Sequence, residues 1–119
     1  MTQQPILVVD DDPTILATVS EALDLEGFPV LTATNGAEAL DVVDRSPPSL
    51  VLLDMRMPVL DGWGFMHAIR ERDLSLTVVV MTAAADAQRW GREIGAQAVL
   101  AKPFELDELL GAVQRLLPA

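Results

Sequence analysis

The stretch Leu50–Pro58, LVLLDMRMP, decides the fold. Leu50 to Leu53 are apolar without a polar break, and the run stops at one carboxylate, Asp54. Bounded by Pro47-Pro48 and Pro58, it has the pattern of a strand buried on both faces. Strands of that kind belong to parallel sheets covered by helices. In open parallel sheets, ligands bind beyond the carboxyl ends of the strands. Asp54 falls on that edge, so the question becomes what else the chain delivers there.

Outward from this strand the chain alternates. Ile6 to Val9 form an earlier apolar strand that ends in Asp10-Asp11-Asp12-Pro13, with Pro13 suited to the first turn of a helix. Ile15, Leu16, Val19, Ala22 and Leu23 then recur at helical spacing up to Gly27. Pro29–Thr34 reads as a second strand, with Pro29 pointing to an edge position. Asn35-Gly36 is a turn, and Ala37–Arg45 a short helix with Leu40 and Val43 inward. After the Asp54 strand come a loop, a helix over Trp63–Arg72 with Phe65 and Ile69 inward, and a strand over Thr77–Thr82. A short helix then ends near Ile94 at Gly95, and Ala98–Ala101 forms a fifth strand. Glu105–Leu117 closes the series, with Leu106, Leu109, Leu110, Val113, Leu116 and Leu117 in one stripe. The expectation is an α/β fold: a doubly wound, five-stranded parallel sheet flanked by five helices, one domain spanning 1–119.

Composition limits the function classes. The chain has 119 residues, half of them apolar, enough for one core. No apolar run approaches the roughly 18 residues that a membrane helix needs. The opening Met1–Pro5 is short and uncharged, unlike a signal peptide, so the cytoplasm is the expected compartment. There is no cysteine, hence neither a disulfide framework nor a thiolate metal site. Eighteen acidic residues against eight basic ones give a net charge of −10, which argues against direct nucleic-acid binding. Only one of the eight basic residues is a lysine, Lys102.

The strand ends collect chemistry. Strand one brings Asp10 and Asp11, strand three Asp54, strand four Thr82 and strand five Lys102, while Thr34 after strand two looks ordinary. Converging carboxylates repel one another unless a cation joins them. A hard divalent ion with oxygen ligands answers that need, and Mg²⁺ suits a site with few protein ligands. With such an ion and an ammonium to offset charge, a carboxylate can accept a phosphoryl group. Asp54 is then the nucleophile, Asp11 the main metal ligand and Lys102 the counter-charge.

With these residues in view, the sequence resembles the response-regulator receiver domains, the CheY-like family of two-component signalling. The resemblance rests on ILVVDDDP at 6–13, NGAEAL at 35–40, LVLLDMRMPVLDG at 50–62, VVVMTA at 78–83 and LAKPF at 100–104, and covers nearly the whole chain. It implies the strand order 2-1-3-4-5, for which CheY is itself the standard illustration. It implies that Asp54 takes phosphate from a phosphohistidine on a sensor histidine kinase or histidine phosphotransfer protein. It further implies Mg²⁺ held by Asp11, Asp54 and the Arg56 backbone carbonyl, with Asp10 acting through water. Thr82 and the Ala83 N–H would bond phosphoryl oxygens, Lys102 would pair with the phosphate, and the Lys102-Pro103 bond would be cis. Asp12 is expected as a turn or N-cap residue. Output would be a change in binding to a downstream protein or to an effector domain outside this chain, and homodimers through the fourth and fifth elements fit the same pattern. Such a domain is an enzyme only in transferring phosphate to itself and hydrolysing it slowly.

Three features depart from the family pattern. Val99 stands where an aromatic ring usually swings inward, so the usual threonine–aromatic switch is missing. The segment from Thr82 to Gly95 is two residues short, which predicts a truncated fourth helix or entry loop. Arg56 and Ala84 occupy the two positions that shape water access to the phosphoryl group, and Arg56 is placed either to cover that group or to lean on acidic neighbours. The first two give weight to an alternative, a pseudo-receiver that binds partners without phosphorylation; the intact Asp10, Asp11, Asp54, Thr82 and Lys102 argue the other way. A hydrolase with an aspartyl-phosphate intermediate usually needs a second acid where Arg56 stands. Of the remaining notable side chains, His67 reads as exposed, Trp90 as packing, Trp63 as partly exposed, and Met55 and Met57 as packing beside the site.

Overall fold

The computed structural model describes residues 4–117, so the first three residues of the Met1–Pro5 opening lie outside them. Five strands alternate with five helices: β1 (Ile6–Val9), α1 (Pro13–Leu25), β2 (Val30–Ala33), α2 (Gly36–Arg45), β3 (Leu50–Asp54), α3 (Gly62–Glu71), β4 (Val78–Ala83), α4 (Ala87–Ile94), β5 (Ala98–Lys102) and α5 (Leu106–Leu116). The strands form one parallel sheet in the order β2-β1-β3-β4-β5. The expected α/β architecture and its strand order are both realised.

Because side chains alternate along a strand, each central strand feeds two separate cores. Leu7, Val9, Val51, Leu53, Val78 and Val80 face one side, against Val43 of α2, Phe65 and Ile69 of α3, and Trp90 and Ile94 of α4. Ile6, Val8, Leu50, Leu52, Val79 and Met81 face the other, against Val19 and Leu23 of α1 and Leu109 and Val113 of α5. All of β3 is buried, which is why its sequence carries no polar residue before Asp54.

Several boundaries moved. β2 is shorter than Pro29–Thr34 because Thr34 leaves the strand: its N–H and Oγ1 both donate to Glu38 Oε1, at 2.7 and 2.8 Å. α2 and α3 each start one residue earlier than expected, at Gly36 and Gly62, capped by the side chains of Asn35 and Asp61. In both, the N-terminal glycine is sterically required. A Cβ on Gly36 would sit 2.6 Å from the Leu60 carbonyl oxygen, and one on Gly62 would sit 2.6 Å from Met55 Sδ. In α5 every leucine and valine of the stripe except Leu106 packs against the core. Leu106 is 41% exposed, Leu110, Leu116 and Leu117 are half-buried, and Ala112 takes an inner position beside Leu109 and Val113. Leu106 opens the first turn, before the helix has settled onto the sheet.

α4 is short, as the spacing from Thr82 to Gly95 predicts, and it ends at Gly95 in the left-handed conformation that favours glycine. At Gly91 it packs closely on β5. A Cβ on Gly91 would meet Val99 Cγ2 at 2.4 Å. The small residue on the helix and the valine on the strand are therefore fitted to each other.

Candidate functional site

The parallel register aligns the strand ends along one rim. Asp54 pairs with Met81, Thr82 with Ala101 and Ala83 with Lys102, while Asp10 follows Val9 directly and its N–H donates to the Ala33 carbonyl at 3.1 Å. The sequence could place these residues only at the ends of separate strands; the sheet order makes them neighbours. Carboxylate oxygens of Asp10, Asp11 and Asp54 all lie within 4.8 Å of one another. Asp10 is fully buried, Asp54 is 6% exposed, and Asp11 is exposed at the mouth.

Each acid is held differently. Asp10 Oδ2 accepts from Lys102 Nζ at 2.8 Å and Oδ1 accepts from the Asp12 N–H at 2.9 Å. Asp54 lies farther from the ammonium, with Oδ1 at 3.7 Å. Burial is the main reason its carboxyl is pushed up to about 6, with the charge of Asp10 adding to the effect and Asp11 contributing less. Lys102 and the backbone N–H of Arg56 pull in the opposite direction without cancelling the shift. Asp12 turns away to cap α1, accepting from the N–H of Thr14 at 2.9 Å, as an N-cap residue should. Thr82 is buried, Ala83 is exposed next to it, and the Lys102-Pro103 bond is cis.

The donor set fits Mg²⁺. Three convergent carboxylates supply hard oxygen atoms, two of them are buried, and one lysine offsets only part of their charge. Met55 is buried behind Asp54 and Met57 is half-buried, both in packing roles.

A sequence model described as the response regulator receiver domain matches residues 6–114. The chain belongs to the response-regulator receiver family. Among curated relatives, this receiver is 38% identical to sporulation initiation phosphotransferase F of Bacillus subtilis, over 99% of this chain and 97% of that protein. It is 43% identical to the transcriptional regulatory protein PrrA of Mycobacterium tuberculosis, over 98% of this chain but 51% of that protein. The receiver thus spans about half the length of the transcriptional regulators it matches and nearly all of the phosphotransferase. Among solved structures, the chemotaxis response regulator CheY4 of Vibrio cholerae superposes with a TM-score of 0.86 at 32% identity, covering 98% of this chain and all of the other. The receiver domain of NtrX from Brucella abortus gives 0.86 at 30% identity, over 93% and 96% of the two chains. Receivers of this family act in two-component phosphorelays, are phosphorylated on aspartate and use Mg²⁺ at an acidic cluster. Among the described residues, no helix of this receiver is long and apolar enough to cross a membrane.

Trp90 packs and Trp63 is partly exposed, as expected, while the contact that Arg56 makes was not foreseen from the sequence. In the unmodified protein the Arg56 side chain makes no ion pair with an acidic neighbour among the described residues. Its Cζ lies 5.1 Å from the centre of the Trp90 ring, a cation–π contact. Trp90 is buried on α4 and meets Trp63 edge-on, 4.9 Å between ring centres. Trp63 is half-buried, and its Nε1–H donates to Glu93 Oε2 at 3.0 Å. Composition offered no signal for this cluster, because its members come from the β3–α3 loop, α3 and α4. His67 is exposed, as expected, and sits 3.3 Å from Glu71 on the same helix, away from the acidic rim.

Proposed function

We propose that this receiver domain, comprising residues 1–119, accepts a phosphoryl group on Asp54 from a phosphohistidine of a sensor histidine kinase or histidine phosphotransfer protein. The observation that carries the reading is the juxtaposition of three carboxylates and the chain's single lysine at the strand ends, with Asp54 buried among them. An Asp54 oxygen attacks phosphorus, the N–P bond breaks as the O–P bond forms, and the leaving imidazole nitrogen keeps the electron pair and is reprotonated. Asp11, Asp54 and the Arg56 carbonyl would hold Mg²⁺, with Asp10 acting through water; the ion offsets negative charge on the carboxylate and the incoming phosphoryl oxygens.

The protein's own residues do the rest. Lys102, fixed at 2.8 Å by Asp10, stands beside Asp54 as a counter-charge for the phosphoryl oxygens. The Thr82 hydroxyl and the Ala83 N–H, on the neighbouring strand end, donate to the same oxygens. Turnover is limited to self-phosphorylation and slow hydrolysis of the acyl phosphate. The reading includes a cytoplasmic setting and a phosphorylation-dependent change in binding to another protein or to an effector domain, as half-length coverage of the transcriptional regulators suggests.

Incubation with Mg²⁺ and acetyl phosphate tests the core of this. Mass spectrometry should find one added phosphoryl group, about 80 Da. It should be absent in Asp54→Ala and absent in EDTA. An unmodified wild-type chain would instead support the pseudo-receiver reading, for which Val99 is the main argument.

A further inference from the structure

Three of the five helices begin with a side-chain cap, and α5 begins with a capping box. Asp12, Asn35 and Asp61 cap α1, α2 and α3, and Glu108 closes onto the Glu105 N–H at the start of α5. α4 has none. Its N-cap residue, Asp86, has its carboxylate engaged with Arg89 at 2.7 Å. The helix has only eight residues and carries Gly91 at its middle, where Val99 leaves no room for a Cβ. Uncapped, short and interrupted by glycine, it has little stability of its own and depends on tertiary contacts.

One of those contacts joins α4 to the phosphoacceptor loop. Two cations lie near Trp90. Arg89, at 5.8 Å, belongs to α4 itself and is paired with Asp86, so it ties α4 to nothing else. Arg56, at 5.1 Å, comes from the loop two residues after Asp54. It is exposed and makes no ion pair among the described residues, so only the ring holds its guanidinium. A phosphoryl group on Asp54 would add nearly two negative charges two positions before Arg56 in the chain. A planar guanidinium binds phosphate oxygens through paired, charge-assisted hydrogen bonds, which are stronger than an exposed cation–π contact.

We propose that Arg56 is a latch: it lies on Trp90 and steadies α4 while Asp54 is unmodified, and it transfers to the phosphoryl group when Asp54 is phosphorylated, releasing α4. The latch rests on the phosphoacceptor reading for its trigger, but its resting half does not. It supplies a route from Asp54 to α4 that needs no ring at Val99.

Hydrogen–deuterium exchange on the whole chain, resolved over residues 87–94, tests both halves. In the unmodified protein, Arg56→Met keeps the apolar stem but removes the charge. It should speed α4 exchange by about two- to fivefold, the range of one exposed cation–π contact. With Mg²⁺ and acetyl phosphate, and the adduct verified by mass, the wild type should show a similar increase, whereas phosphorylated Arg56→Met should change by less than about twofold further. Wild-type α4 exchange in unmodified Arg56→Met overturns the latch, whatever happens at Asp54. So does a phosphorylated wild type whose α4 exchange is unchanged. Failure to form the adduct overturns the phosphoacceptor reading and the release with it, while the unmodified comparison still decides whether Arg56 holds α4.

Discussion

Replacing Asp54 with asparagine should make the metal-free protein more stable, and the gain should depend on pH in a defined way. The side chain is 6% exposed and its carboxyl is raised from 3.8 to about 6, chiefly by burial and then by Asp10. A folded pKa above the unfolded one means that the acid's favourable contribution is complete below about pH 4. It is then lost as pH rises through about 6. Above that, the native state carries a charge stripped of the hydration that it keeps in the unfolded chain. A shift of this size corresponds to at most about 3 kcal/mol at neutral pH, and the attraction to Lys102 at 3.7 Å is already contained in it. Asparagine keeps the shape and does not titrate. In EDTA, Asp54→Asn should therefore match the wild type near pH 4 and exceed it by about 2–3 kcal/mol at pH 7.5, close to 10 °C in melting temperature for a domain of this size. Urea unfolding at pH 4, 5.5 and 7.5 measures the curve. Saturating Mg²⁺ should close the gap, because an ion that binds the native wild type at one hundred times its Kd adds about 2.7 kcal/mol that the variant largely forgoes. An Asp54→Asn protein no more stable than wild type at pH 7.5, or one whose advantage persists unchanged at pH 4, would refute the electrostatic account of the site.

Three further outcomes follow from other contacts. Lys102→Ala strips the ammonium from the fully buried Asp10 and should cost about 3 kcal/mol in urea unfolding; the double variant with Asp10→Asn should recover much of that loss, because no buried charge is then left unpaired. Gly91→Ala should destabilise α4 by about 1–3 kcal/mol despite alanine's better helix propensity, since its methyl would meet Val99 Cγ2 at 2.4 Å, and adding Val99→Ala should restore stability. Val59 sits at φ 70° in a tight turn closed by the Leu60 N–H to the Pro58 carbonyl at 2.7 Å, a costly conformation for a β-branched residue. Because it is 82% exposed and buries little, Val59→Asn should raise stability by about 1 kcal/mol, read from the denaturant midpoint.

The sequence by itself determined the elements and the chemistry of the rim. A strand buried on both faces must be apolar throughout, so LVLL before Asp54 and VVVM before Thr82 announce themselves without any knowledge of their neighbours. Acids, a hydroxyl and a lone lysine at successive strand ends then name one edge, because a parallel sheet brings every carboxyl end to the same side. Local periodicity was less reliable at the first turn of α5, where Leu106 matches the stripe yet faces solvent. Only the tertiary structure decided which acid is paired and which is strained. Asp10 and Asp54 are alike in sequence, but Lys102 is 2.8 Å from one and 3.7 Å from the other. It also decided where Arg56 goes and how closely α4 rides on Val99. Those outcomes depend on distances of a few ångströms between side chains from separate elements, and they are fixed by how the helices pack on the sheet rather than by any pattern along the chain.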